Sequence, residues 1–139
     1  MSYRSGIKGV IPIDKMASEI AKAMNEWSQD IADATIKAVA ETTAETVLEL
    51  KRTSPRREGP NGGAYARDWT RTALEKSRYG LVNVVHNKKH YRLTHLLEKG
   101  HANARGGGRT PAHPHIGLAE AHALDMLNEK MRQYINDVD

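Results

Sequence analysis

The sequence predicts an α+β fold: a long N-terminal helix, a small antiparallel β-sheet, a short middle element and a C-terminal helix. Apolar residues recur at steps of three and four across 14–52, with no Gly or Pro inside, and again across 116–138. Between them the period changes to short β-branched runs. Segments rich in Gly and Pro at 53–64 and 101–115 separate the pieces.

Residues 1–11 read as a flexible arm or partner-bound strap, with Gly6 and Gly9 and apolar contacts only at Tyr3, Ile7, Val10 and Ile11. Residues 12–139 are expected to form one domain. Pro12 stands near the start of the first helix, where its missing N–H costs little. One stripe runs Met16, Ile20, Met24, Trp27, Ile31, Ala34 and Ala38; a second runs Ile36, Ala40, Thr43, Val47 and Leu50. A helix this long spans about 55–60 Å. Either it breaks near the Thr-rich stretch Glu41–Thr46, or it projects and packs on other subunits. The loop 53–64 then leads to a predicted hairpin at about 65–86. Tyr65 to Ser77 reads as its first strand, with Trp69, Ala73, Arg67 and Arg71 on one side. Gly80 to His86 reads as the second, after a turn at Arg78-Tyr79-Gly80. His90 to Lys99 reads as a short helix or a helix-like strand end, closed by Gly100. The last helix carries Leu118, Ala121, Leu124, Leu127 (or Met126), Met131 and Ile135.

Composition narrows the chemistry. A chain of 139 residues with 39% hydrophobic residues, 5% aromatics and no Phe builds a thin aliphatic core, which favours burying further surface against partners. The absence of Cys removes disulfides, Cys-ligated metals and thiol nucleophiles. No apolar run reaches the roughly 20 residues of a membrane span, and the first fifteen residues lack the apolar run of a secretion signal. A net charge of +4 is mildly basic, compatible with a nearby polyanion.

Each motif has a bland reading beside its chemical one. The chain holds seven histidines, and His101, His113 and His115 could serve a metal-dependent hydrolase. The His113-Pro-His115 pair straddles a proline in a loop, however, with no second ligand motif, and His86 and His90 lie at a strand end. Gly106-Gly107-Gly108-Arg109 lacks both the buried strand before a phosphate loop and the Gly-Lys-Ser/Thr after it. Ser28, Ser54 and Ser77 have no base or elbow around them, and an ion pair is the simpler reading of Glu98. No catalytic set, cofactor site or metal site is therefore assigned. The strongest electrostatic feature is the basic group Lys51, Arg52, Arg56, Arg57, Arg67 and Arg71, which reads either as a solvated face or as a surface turned to DNA or an acidic partner. A DNA-binding accessory protein using Arg56, Arg57, Arg67 and Arg71 is the alternative function.

The order of the segments resembles the small neck proteins of long-tailed bacteriophages, the tail-component, tail-completion or head–tail connector family. The matching pieces are Thr53-Ser54-Pro55 after the long helix, the Gly62-Gly63-Ala64-Tyr65-Ala66-Arg67-Asp68-Trp69 stretch and the valine-rich Leu81 to His86. They continue with the element from Tyr91 to Glu98-Lys99-Gly100-His101, and with Pro114-His115-Ile116-Gly117-Leu118-Ala119-Glu120 leading into the last helix. The loop from Thr53 to Gly62 is longer and more basic than that family's, and His115 stands where Phe is common. The resemblance implies a non-enzymatic virion protein without cofactors, assembled in the bacterial cytoplasm into a ring, a hexamer by the family's habit. The ring would complete the tail or join it to the head, in contact with other neck, portal-side or tail-tube proteins, with double-stranded DNA passing through the lumen. On that reading the basic group faces the DNA. Ile7, Val10 and Ile11, with Arg105, Gly106, Gly107, Gly108 and Arg109, become straps between subunits.

Overall fold

The computed structural model describes residues 12–138, so the arm expected at 1–11 lies outside the described residues. Its first element is a continuous helix, α1, spanning Ile13–Thr53, 41 residues and about 60 Å long. Pro12 takes the N-cap position, Asp14 sits in the first turn, and Lys51 and Arg52 sit in the last, each sign matched to the helix dipole. Of the two readings of the Thr-rich stretch, the unbroken one holds, and the hydroxyls show why. Thr35, Thr43, Thr46 and Thr53 donate to the carbonyls of Ile31, Val39, Thr42 and Glu49 on the same helix, so they do not compete for backbone partners elsewhere. The helix stops at Ser54, which is extended at φ −64° and ψ 142°. Pro55 behind it disfavours the helical conformation there.

Residues 64–67 depart from the predicted strand. They form a single helical turn, α2 (Ala64–Arg67), and the strand β1 (Trp69–Ser77) begins only afterwards. Alternation in a strand would send Tyr65 and Ala66 to opposite faces. The helical turn instead buries both and places Tyr65 four residues from Trp69 on one side, the rings 5.8 Å apart and edge to face. Strand β2 (Gly80–Asn87) pairs antiparallel with β1, from Trp69↔Asn87 to Ser77↔Gly80. A register shift between Ala73 and Glu75 leaves Leu74 unpaired and exposed. Trp69, Arg71 and Ala73 lie on one face, as the alternation predicts, and that face meets α1.

A 3-10 turn (Tyr91–Leu93) and the short helix α3 (Thr94–Lys99) follow. Gly100 closes α3 at φ +73°, and a Cβ there would stand 2.6 Å from the Thr110 carbonyl oxygen. Both the backbone conformation and the close approach require glycine. The 101–115 segment, read as loop throughout, holds a minimal hairpin of β3 (His101–Ala102) and β4 (Arg109–Thr110). Helix α4 (Ile116–Asn136) then runs back antiparallel along α1, since Glu49 meets His122 while Glu41 meets Lys130 and Tyr134.

The core sits where α1, the hairpin and α4 converge. Leu50, Tyr65, Trp69 and Ala119 are buried together, with Val47, Val85, Leu97 and Ile116 packed around them. On the contact side of α1 the buried residues are Ala34, Ala38, Thr42, Thr46 and Leu50. The first stripe divides: its Ala34 and Ala38 are buried here, whereas its N-terminal members Met16, Ile20, Met24 and Trp27 remain 39–64% exposed.

Candidate assembly and DNA-facing surfaces

The lower end of the molecule is tied by polar groups buried at its centre. Trp69 donates its indole N–H to Ser54 Oγ at 2.7 Å, and Ser54 donates in turn to the Leu50 carbonyl. Ser54 is thus committed to joining the end of α1 to the start of the hairpin. Asn87, 2% exposed, donates to the Tyr65 carbonyl and accepts from the His90 backbone N–H at 2.8 Å. His90 Nδ1 lies 2.6 Å from Asp68 Oδ2. Together these bonds lock α2 and the 3-10 turn against the open end of the hairpin.

Glu98 has the role that sequence reasoning missed. Its carboxylate accepts from the backbone N–H groups of His115, Ile116 and Gly117 at 2.8–2.9 Å, the first turn of α4. Those are donors a helix leaves unsatisfied, and a carboxylate there also meets the positive end of the dipole. Burial pushes the Glu98 carboxyl up, but the three N–H groups outweigh it and hold its pKa below the ordinary value. Behind it, His115 is 2% exposed. Its Nδ1–H points at the His113 carbonyl and Glu98, and Nε2 accepts from the Tyr65 hydroxyl at 2.8 Å. Burial, then the nearby Glu98 charge, pushes the Tyr65 phenol up to about 12. The Glu-x-Gly pattern therefore has a mechanical meaning. Glu98 caps the last helix from another segment, and Gly100 lets the chain turn tightly against Thr110–Ala112. The signal available in the sequence was Glu98 followed, after a Gly-rich loop, by a helix start with no capping side chain of its own.

Of the histidines proposed for a metal, His115 is occupied by Tyr65, and His113 supplies its carbonyl to the His115 ring. His101 Nδ1 is buried without a partner. Among the described residues, no three His, Asp or Glu side chains are grouped to hold a metal ion.

The basic residues divide into two places. Lys51 and Arg52 form the last turn of α1. Arg56 folds back on the Lys51 carbonyl, and the Arg56 and Arg67 guanidinium groups both flank Gly63, where a Cβ would lie 2.5 and 2.9 Å from them. Arg57 is exposed on the same loop, beside a cavity of about 330 Å³ shared with Tyr65, Leu93, Leu97 and His113. Arg71 stands apart: it reaches from β1 to the Ala40 carbonyl at 2.6 Å, about 16 Å up α1 from Lys51. Arg78, at the hairpin tip, bonds Gln29 of α1. So Lys51, Arg52, Arg56, Arg57 and Arg67 gather at one end, and Arg71 joins the hairpin to the helix.

Of the candidate straps, Ile7, Val10 and Ile11 lie outside the described residues. Arg105, Gly106, Gly107, Gly108 and Arg109 form the exposed tip and return strand of the minimal hairpin. Gly106 and Gly108 have φ of +76° and +96°, and the Gly108 carbonyl accepts from the Asn103 N–H. No helix among the described residues is long and apolar enough to cross a membrane.

The HK97-gp10-like family, described as "Bacteriophage HK97-gp10, putative tail-component", matches residues 18–100. The match begins in the projecting part of α1 and ends on Gly100, taking in the Ser54–Trp69 tie, the hairpin, α3 and Glu98. No curated protein and no solved structure matches the chain. The matched span covers more than half of the 139 residues and supports a structural part in a phage particle, alongside other tail or neck proteins; the chain belongs to the HK97-gp10-like family of bacteriophage tail components.

Proposed function

We propose that this protein is a ring-forming subunit of a bacteriophage neck, one that completes the tail or joins it to the head while DNA passes through the lumen. Its role is structural and non-enzymatic. One observation carries the reading beyond family membership: α1 continues past the rest of the described fold and leaves Ile13, Met16, Ile20, Met24 and Trp27 in water. A chain with so thin a core does not leave an apolar helix face uncovered without a partner to bury it. Identical copies around an axis provide that partner, and a head-to-tail contact repeated with the right rotation closes into a ring, a hexamer by the family's habit.

The cluster at Lys51, Arg52, Arg56, Arg57 and Arg67 is the candidate lumen-facing surface. A mild net charge of +4 suits a channel through which DNA slides, since each phosphate contact adds affinity through counterion release. Negative-stain electron microscopy of the purified chain, alone and with the tail-tube or portal-side proteins of its phage, tests the reading. Rings with an open centre are expected. A monomer under all of these conditions would overturn it. Tight duplex binding by the monomer with a steep salt dependence would favour the DNA-binding accessory reading instead.

A further inference from the structure

Among the described residues, two apolar surfaces of the chain have no partner. The first is the stripe on α1. Helix α4 ends at Asn136, just past Tyr134, whose ring takes the Lys37 ammonium, and the tip of the large hairpin bonds Gln29; of the residues further up, Ala23 is buried. Ile13, Met16, Ile20, Met24 and Trp27, exposed by 89, 45, 46, 64 and 39%, follow the helix period beyond both. They leave on the order of 500 Å² of side-chain surface in water, near the top of what an ordinary monomer shows, against about 800 Å² for one side of a stable interface.

The second is a cavity of about 340 Å³ between α1, the large hairpin and α4, lined by Thr42, Trp69, Val85, Ala123, Leu124 and Leu127 among others. The space is a groove open to solvent, and its lining is mostly apolar. Leu124 on its rim is 57% exposed. Thr42, 4% exposed, is among its lining residues and keeps a buried hydroxyl with no hydrogen-bond partner among the described residues, while Thr43 and Thr46 bond their own helix. The wall is that of a core lacking one layer.

The two surfaces cannot meet within one molecule. Ile20 and Thr46 sit on one continuous helix, about 40 Å apart along its axis. We propose that the stripe of one copy packs into the α1–hairpin–α4 groove of the next copy, so that each subunit gives one apolar surface and receives the other. The occupant is a second copy because the chain itself carries an apolar ridge of helical spacing beside an empty apolar groove, and rigid α1 keeps them apart. This rests on the ring reading and names the contact that would build it. Such a contact is heterologous, the kind that closes into rings.

Two single substitutions and their mixture test it. Met24→Glu spoils the stripe and Leu124→Glu spoils the groove; both side chains are more than half exposed, so circular dichroism should be unchanged. Each variant alone should sediment as one chain. An equimolar mixture should sediment at twice that mass, because the intact stripe of L124E fits the intact groove of M24E. As a second measurement, the chain lacks Cys, so an M24C/L124C double variant should give a ladder of disulfide-linked chains on mild oxidation, and M24C alone should give none. Wild-type assembly by M24E or L124E would overturn the contact while leaving the ring reading standing. So would a mixture that stays monomeric, or dimers from M24C alone, the outcome for stripe packed on stripe. A stripe covered by the chain's own residues 1–11 also leaves the mixture monomeric. A wild-type chain that never assembles would remove the ring reading, and this contact with it.

Discussion

Glu98, Gly100 and His115 hold the C-terminal helix to the rest of the fold, and each can be tested alone. Glu98→Gln keeps an oxygen acceptor but loses the charge facing three N–H groups, and should cost about 1–2 kcal/mol in denaturant unfolding. The pH dependence should change too. A carboxyl whose folded pKa is depressed gives stability that is present above its unfolded value and is lost as pH falls through the folded one. The wild type should therefore lose stability on acidification below the ordinary carboxylate range, and E98Q should lose less over that window. Tyr65 works in the opposite sense: its folded pKa is raised to about 12, so its contribution is full below the ordinary tyrosine value and fades as pH rises toward about 12. Tyr65→Phe should flatten that alkaline limb, at about 1–3 kcal/mol for leaving the buried His115 Nε2 without a donor. Gly100→Ala should cost about 1–3 kcal/mol, because the new Cβ meets a carbonyl at a backbone conformation alanine avoids.

At the scale of elements, the minimal hairpin between α3 and α4 separates folding from assembly. Among the described residues its hydrogen bonds run between Asn103, Gly108 and Thr110 and none joins its tip to a core residue. Deleting 103–110 should lower the assembled fraction more than the melting temperature, as read by sedimentation and calorimetry on the same sample. Equal losses would make it a folding element instead. The element order was legible in the sequence because period and punctuation act locally. Thirty-nine residues without Gly or Pro, Pro55 after Ser54, and Gly100 after a short apolar run each set a boundary through their own backbone chemistry. The turn at Ala64–Arg67 was not legible. Four residues are too few to show a period, and what selects the turn is tertiary, the packing of Tyr65 on Trp69 and His115. Glu98 was hidden for a related reason. Its partners lie 17–19 residues away and are backbone groups, which sequence spacing does not display. The continuity of α1 through its threonines goes with hydroxyl-to-carbonyl bonds that sequence spacing does not display.

For the whole molecule, the division of α1 into two halves matters most. The half ending at Thr53 lies against the hairpin and α4, whereas the half beginning at Ile13 buries Ala23 and Ala32 and bonds the hairpin tip through Gln29 but leaves Ile13, Met16, Ile20, Met24 and Trp27 exposed. An exposed charge introduced at Met24 should accordingly leave the isolated subunit's melting temperature nearly unchanged, within about 0.5 kcal/mol, while assembly falls. Sedimentation velocity of the wild-type chain over a hundredfold range of concentration measures this division most directly. A single closed species, a fixed whole-number multiple of 15.5 kDa that grows at the expense of monomer, is the expected result. Monomer alone at every concentration, and again with the tail-tube or portal-side proteins added, would contradict it.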